Sequence, residues 1–102
     1  MVHLVQILLP LADNKGEKFP QAVLEGIRSE LCERFGGLTA YSRSPARGVW
    51  RSDGSELEDD IVIVEVMTEA LDEGWWHRFR IRLEGQLRQE SLVIRAQEMR
   101  QL

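Results

Sequence analysis

Residues Ile61 to Met67 read Ile-Val-Ile-Val-Glu-Val-Met, and this run constrains the fold more than any other segment. Its density of β-branched residues favours a strand in the middle of a sheet. Residues Val2 to Leu9 form another strand that is apolar on both faces and is closed by Pro10. Two strands of this kind predict a sheet that needs cover on both of its faces.

Two segments have the periodicity of helices. From Pro20 to Phe35, apolar residues recur at three or four positions, with Pro20 suited to a first turn and Gly36-Gly37 to a stop. Thr68 or Asp72 is suited to cap the second helix. Its apolar stripe is broad and comprises Trp75, Trp76, Phe79, Leu83 and Leu87.

The remaining segments predict further strands. Leu38 to Arg43 alternates, Pro45 and Gly48 break or bulge the strand, and Val49 to Arg51 resumes it before a turn at Asp53-Gly54. Ser91 to Met99 forms the last strand. The predicted order is therefore β-α-β-β-α-β.

Residues 1–102 are expected to form a single α+β domain, because this length supports one hydrophobic core. The predicted architecture is ferredoxin-like, a four-stranded antiparallel sheet of strand order 4-1-3-2 with two helices on one face. The alternative is a sheet order that leaves one helix on each side.

Composition argues against several classes of protein. The apolar run from Leu4 to Leu9 is too short for a membrane span, so we expect a cytoplasmic chain. The single cysteine, Cys32, excludes an internal disulfide and is expected to be a small buried residue. The net charge of −4 argues against nonspecific nucleic-acid binding.

Charge is segregated along the chain. Arg43, Arg47 and Arg51 have no acid between them, whereas the stretch from Asp53 to Glu73 contains acids and no base. The simplest interpretation is that the two segments pair across a hairpin or a subunit contact. The alternative is a basic patch that binds an anion.

The two faces of the predicted sheet differ in their cover. The helix side is expected to take Val62, Val64 and Val66, because alternate side chains point to opposite faces. The other face then carries Ile61, Ile63, Glu65 and Met67, listed here in chain order, and is too apolar to be left to water. A second copy is the economical cover, which predicts a homodimer through the helix-free face.

Several short motifs carry a family resemblance. Phe35-Gly36-Gly37-Leu38-Thr39, Gly48-Val49-Trp50-Arg51 with Asp53-Gly54, and Gln89-Glu90-Ser91-Leu92 are similar to those of a family of small bacterial proteins of unknown function. The order of elements resembles the dimeric α+β barrel group of ferredoxin-like proteins. The resemblance implies this fold and a homodimer, and it leaves the activity open.

Polar residues on the helix-free face are the candidate site. Gln6, Glu65 and Arg95 are expected side by side on neighbouring strands, with Tyr41 and Arg43 extending the row. Trp50 is a candidate for stacking on a planar ligand. Tyr41, Glu65 and Arg95 are the candidate catalytic residues. The alternatives are a structural ion pair for the row and an interface contact for Trp50.

No cofactor or metal is expected, since His3 and His77 have no second ligand at a metal-binding spacing and no nucleotide fingerprint occurs. The favoured function is a homodimeric module that binds a small molecule. The alternative is a cofactor-independent monooxygenase- or isomerase-like enzyme of the barrel type, and a purely structural dimer also stays open.

Overall fold

A computed structural model describes the backbone of residues 1–40, 46–52 and 55–102 and the side chains of residues 1–39 and 61–102. The elements are β1 (Val2–Pro10), α1 (Gln21–Phe35), β2 (Thr39–Ala40), β3 (Ala46–Ser52), β4 (Ser55–Thr68), α2 (Glu73–Gln86) and β5 (Ile94–Met99). Every pairing between these strands is antiparallel, in the order β2-β4-β1-β5, and β3 also pairs with β4.

The described part of the sheet has five strands rather than the predicted four. The predicted second strand is divided into β2 and β3, both paired with the 14-residue β4. Ala40 lies opposite Val64 and Ala46 opposite Ile61, so the chain advances six residues while β4 advances three. Gly48 lies inside β3, and Pro45 and the predicted Asp53-Gly54 turn lie outside the described residues.

Both helices lie on one side of the sheet, where the strands bury their alternate residues. Val62, Val64 and Val66 are at most 3% exposed, as the alternation of β4 predicts. They pack with the inward side chains of β1 and with both helices in a core that includes Val5, Ile7, Leu9, Ile27, Leu31, Trp76, Phe79 and Leu83. The alternative with one helix on each side of the sheet is therefore wrong.

Helix α1 ends where the sequence predicts. Gly36 adopts a left-handed conformation with φ of 78°, and its N–H donates to the carbonyl of Cys32. Cys32 itself is exposed, which corrects the expectation of a buried thiol. The core contact of this turn is made by Leu31, and the next residue is rotated by about 100° around the helix axis.

Helix α2 is capped and held by aromatic contacts. Asp72 accepts a hydrogen bond from the backbone N–H of Trp75 at 3.0 Å. Trp76 stacks on Phe35 of α1 with ring centroids 5.1 Å apart. These rings join the two helices at the end where α1 stops. Among the described residues, no helix is long and apolar enough to cross a membrane.

Strand β5 forms one edge of the sheet beside β1. The N–H of Leu8 donates to the carbonyl of Val93 at 3.1 Å, just before β5 begins. Antiparallel pairs alternate between hydrogen-bonded and non-bonded, so Ile94, Ala96 and Glu98 direct their backbone groups away from β1.

A buried carboxylate ties together two loops at one end of the sheet. Asp13, 6% exposed, accepts hydrogen bonds from the backbone N–H groups of Lys15 and Glu17, both at 2.9 Å, and from Arg88 at 3.3 Å. Asn14 donates to the carbonyl of Arg88, a residue with φ of 52°. The loop after β1 is therefore fastened to the loop after α2.

We expect Asp13→Asn to lower the free energy of unfolding at pH 7. The backbone N–H of Glu17, with that of Lys15 and the charge of Arg88, holds the pKa of Asp13 below its ordinary value. A lowered folded-state pKa stabilises the fold above the unfolded-state pKa of about 3.9, and this stabilisation is lost as the pH falls through the folded value.

Urea unfolding of the wild type and of Asp13→Asn at pH 7 and at successively lower pH is the measurement. The difference between the two proteins should be largest at pH 7 and shrink as the pH falls below about 4. A difference independent of pH would contradict the ionic role of Asp13.

Candidate functional site

The face of the sheet opposite the helices, here called the open face, is mainly apolar. Its described side chains alternate with the core residues along β1, β4 and β5 and have no cover among the described residues. Met67 is 50% exposed and Val93 48%. The other apolar members are half-buried and comprise Val2, Leu4, Leu8, Ile61, Ile63 and Met99. An apolar surface of this kind typically marks an interaction site.

Three polar side chains form a hydrogen-bonded row across the open face, here called the polar row. The strand register aligns Arg95 of β5 with Gln6 of β1, and Gln6 with Glu65 of β4. The Arg95 Nε donates to Gln6 Oε1 at 2.8 Å, and Gln6 Nε2 donates to Glu65 Oε2 at 2.7 Å. The structure thus brings together three of the residues singled out from the sequence.

Gln6 is the centre of the polar row because an amide carries both a donor and an acceptor. A guanidinium only donates and an ionised carboxylate only accepts, so Gln6 must turn its oxygen toward Arg95 and its nitrogen toward Glu65. Both of its bonds involve a charged partner, and such bonds are stronger than neutral ones. The row therefore has a fixed direction, from the cation on β5 to the anion on β4.

On β1 and β4 the polar row lies between two apolar pairs. Leu4 pairs with Met67 of β4 on one side, and Leu8 pairs with Ile63 on the other. Gln6 and Glu65 are half-buried, whereas Arg95 is exposed. Low local polarity strengthens hydrogen bonds within a network and raises the cost of breaking them. The arrangement can hold a polar group between an anchored carboxylate and an accessible guanidinium.

The other site residues predicted from the sequence lie wholly or partly outside the described residues. Tyr41 and Arg43 lie outside the described residues. Trp50 lies in β3 opposite Leu57, and its side chain is outside the described part. Thr39 of β2 is the backbone partner of Glu65, so the row meets β2 at a residue not singled out from the sequence.

The segregated charges face each other in the register of the β3–β4 hairpin. Arg47 is the backbone partner of Asp60, and Arg51 is the backbone partner of Glu56. Residues of opposite charge are thus backbone partners in this antiparallel ladder. Arg43, the third basic residue, lies outside the described residues.

A groove of about 320 Å³ lies on the helix side between α2 and β5, and the sequence did not predict it. Trp76, His77 and Arg80 line it from α2, and Arg80 contacts His77 Nδ1 at 3.2 Å. The spacing of three residues between His77 and Arg80 puts both on one helix face, and this was the sequence signal that could have indicated the groove. Within the described residues, no group of three or more His, Cys, Asp or Glu side chains is arranged to hold a metal ion.

The fold and the open face define an α+β protein of the ferredoxin-like group with two helices on one side of an antiparallel sheet. The fold is similar to that of a divalent cation tolerance protein (Cut A1) from Thermus thermophilus. The TM-score is 0.64 at 16% sequence identity, over 99% of this chain and 86% of that one.

A phage SAM lyase in complex with S-methyl-5'-thioadenosine has the same fold. Its TM-score is 0.63 at 16% identity, over 95% of this chain and 81% of that one. No protein-family model and no curated protein matches the sequence. Identities this low establish the fold alone, and one fold hosts many unrelated activities.

We expect Gln6→Leu to destabilise the protein more than Gln97→Leu by about 1–2 kcal/mol of unfolding free energy. Both glutamines lie on the open face, and both changes add a similar apolar side chain. Only Gln6 bonds to two charged groups among the described residues. Urea unfolding of the two variants measures the difference, and equal effects would contradict the role of Gln6 as the bridge.

Proposed function

We propose that the protein is a homodimeric module that binds a small molecule at the polar row, with the open face as the contact between subunits. The observation that carries this proposal is the hydrogen-bonded set of a cation, an amide and an anion. It lies between apolar pairs of β1 and β4, on a face that has no cover among the described residues. Such a surface combines the apolar area of an interface with the few oriented polar groups of a ligand site.

A second copy of the chain is the favoured partner of the open face. Its exposed apolar members need a cover that is itself apolar, and an isologous contact supplies the same surface from both subunits. Two sheets that pack face to face lie about 10 Å apart, which leaves room for interdigitated side chains. A ligand held within such a contact can also form hydrogen bonds with the polar row.

The chemistry of the polar row favours a planar polar ligand. Arg95 offers guanidinium donors, Glu65 offers carboxylate acceptors, and Leu4 and Leu8 offer apolar contact beside them. A nucleoside has ring nitrogens, hydroxyl groups and an apolar face, and it meets all three. The complex of the phage SAM lyase with S-methyl-5'-thioadenosine supports a nucleoside thioether as the first probe.

The second candidate is a cofactor-independent enzyme of the monooxygenase or isomerase kind. The observation that favours it is the short bond from Gln6 to Glu65, which orients a carboxylate on a face that a substrate can approach. A carboxylate held in this way is suited to proton transfer, with Arg95 and Tyr41 as positioning groups. The two candidate functions predict different effects of removing the Glu65 carboxylate.

The proposed dimer predicts the mass of the protein in solution. Sedimentation at micromolar concentration should give about twice the 11.8 kDa of one chain. Val93→Glu should shift the mass toward that of one chain, because it introduces a charge into the apolar contact. Ile81→Glu is the matched control, since Ile81 is 53% exposed on α2 and Val93 is 48% exposed on the open face.

A clean mass near 11.8 kDa for the wild type would exclude the dimer. Equal effects of Val93→Glu and Ile81→Glu would assign the contact to another surface.

The proposed ligand site predicts stabilisation by a nucleoside thioether. S-methyl-5'-thioadenosine should raise the melting temperature, by the equivalent of about 2.7 kcal/mol at a hundred times its dissociation constant. Divalent metal salts serve as the comparison and should have little effect, because the polar row contains only one carboxylate and also a cation.

Arg95→Ala should abolish the ligand-induced shift, and the control Arg100→Ala, on an exposed residue just after β5, should keep it. A shift that persists in Arg95→Ala would show that the ligand binds elsewhere than at the polar row.

Glu65→Gln separates the two functions, because in an enzyme it should abolish turnover and leave ligand affinity largely intact.

A further inference from the structure

A second groove lies on the helix side of the sheet, along the flank of α2 that contacts α1. It has a volume of about 270 Å³ and is lined by Trp75, Arg78, Phe79 and Arg82. Arg34 of α1 belongs to the same surface, because its Cζ lies 4.3 Å from the centroid of the Trp75 ring. These five residues are here called the arginine groove. None of them belongs to the polar row, which lies on the opposite face of the sheet.

Two guanidinium groups of the arginine groove are held by aromatic rings. Trp75 and Phe79 are stacked, with ring centroids 4.9 Å apart and planes inclined by 13°. Arg34 lies over Trp75, and Arg82 lies over Phe79 with its Cζ 5.2 Å from the centroid. A cation–π contact positions a guanidinium without engaging a hydrogen-bond acceptor. The N–H donors of Arg34 are therefore positioned and still available to an oxyanion.

The charge of Arg82 is compensated, whereas Arg34 and Arg78 have no carboxylate partner within the described part of the chain. Arg82 donates from both terminal nitrogens to the two carboxylate oxygens of Glu30, one of these bonds at 3.0 Å. Glu30 lies four residues before Arg34 on α1, the spacing at which ion pairs form within a helix. Because Glu30 is engaged across the helices instead, the charge of Arg34 is balanced only by the ring face of Trp75 among the described residues.

Arg78 lies one turn before Arg82 on the same face of α2. Like charges four residues apart on a helix destabilise it slightly. The Arg78 Nη1 lies beside Gly74, where a Cβ would stand 3.2 Å from it. Asp72 is also close to Gly74, but its carboxylate caps the helix by accepting from the N–H of Trp75 at 3.0 Å. An anion in the groove would therefore relieve a repulsion that the neighbouring carboxylates leave in place.

We propose that the arginine groove binds the phosphate group of a small phosphorylated molecule, with Arg34 reaching it from α1 and Arg78 from α2. A phosphate group has three terminal oxygens and close to two negative charges at neutral pH, so it can accept from more than one guanidinium. The planar fork of a guanidinium matches the geometry of phosphate oxygens. The bonds from Arg82 to Glu30 join the two helices beside the site.

The dimensions of the groove favour a phosphate monoester with a small apolar group. Its volume of about 270 Å³ lies near the lower limit for pockets that bind small molecules. Trp75 is half-buried, so part of its indole is accessible to an apolar group beside the phosphate. The nucleoside thioether suggested for the polar row has no phosphate group. The two sites therefore take chemically different ligands.

Isothermal titration calorimetry at neutral pH and low ionic strength tests the site, with phenyl phosphate as the probe. The wild type should bind phenyl phosphate more tightly than inorganic phosphate, which lacks the apolar group. It should also bind phenyl phosphate more tightly than phenyl sulfate, which has the same shape and a single negative charge.

Arg34→Ala and Arg78→Ala should each weaken the binding of phenyl phosphate about tenfold or more, because each removes charge-assisted hydrogen bonds. Arg100→Ala is the matched control, since Arg100 is an exposed arginine after β5, and it should keep the wild-type affinity. Arg78→Lys keeps the charge and loses the planar fork, so its affinity should lie between those of the wild type and Arg78→Ala. Circular dichroism checks that every variant is folded.

Binding that is unchanged in both alanine variants overturns the site, and so does a wild type that binds no phenyl phosphate at millimolar concentration. Equal affinities for phenyl phosphate and phenyl sulfate overturn the preference for phosphate. Equal affinities for phenyl phosphate and inorganic phosphate overturn the ester and assign the groove to free phosphate. Stabilisation by S-methyl-5'-thioadenosine should be the same in Arg34→Ala and Arg78→Ala as in the wild type, so the two sites are tested separately.

Discussion

The antiparallel pairing of β1 with β4 is the constraint on which the rest of the structure depends. The ladder runs without a break from His3 opposite Thr68 to Pro10 opposite Ile61. It places the valines of β4 beside Val5 and Ile7 on one face, where the two helices cover them. The same pleat turns Leu4, Leu8 and Ile63 to the other face, which has no cover among the described residues. Burial on one side and exposure on the other are two results of one register.

The sequence predicted the elements whose residues have one clear period. The valines of β4 and the stripe of α2 lie where alternation and helical spacing put them, because burial enforces those periods. Cys32 was misjudged, since a residue type that is usually buried lies one position beyond the inner face of α1. The division of β2 from β3 depends on a count of residues against β4, and a single strand cannot reveal that count.

The candidate site was predictable in part for the same reason. Gln6, Glu65 and Arg95 lie on the open face by alternation alone, and the strand order brings them into one row. The bridging role of Gln6 needed coordinates, because the direction of an amide follows from both of its partners. Asp13 was missed, since its partner Arg88 is 75 residues away along the chain.

The outward-facing backbone of β5 has a consequence for aggregation. An edge strand with unpaired N–H and C=O groups is a template on which further strands can add without limit. Here the edge is six residues long, and its outward-facing positions include Glu98, whose charge an incoming strand would have to desolvate. Short length and an edge carboxylate are the usual protection of natural sheets against fibril growth. The short edge of β5 with its carboxylate thus limits open-ended addition of strands, although the neighbouring open face is apolar.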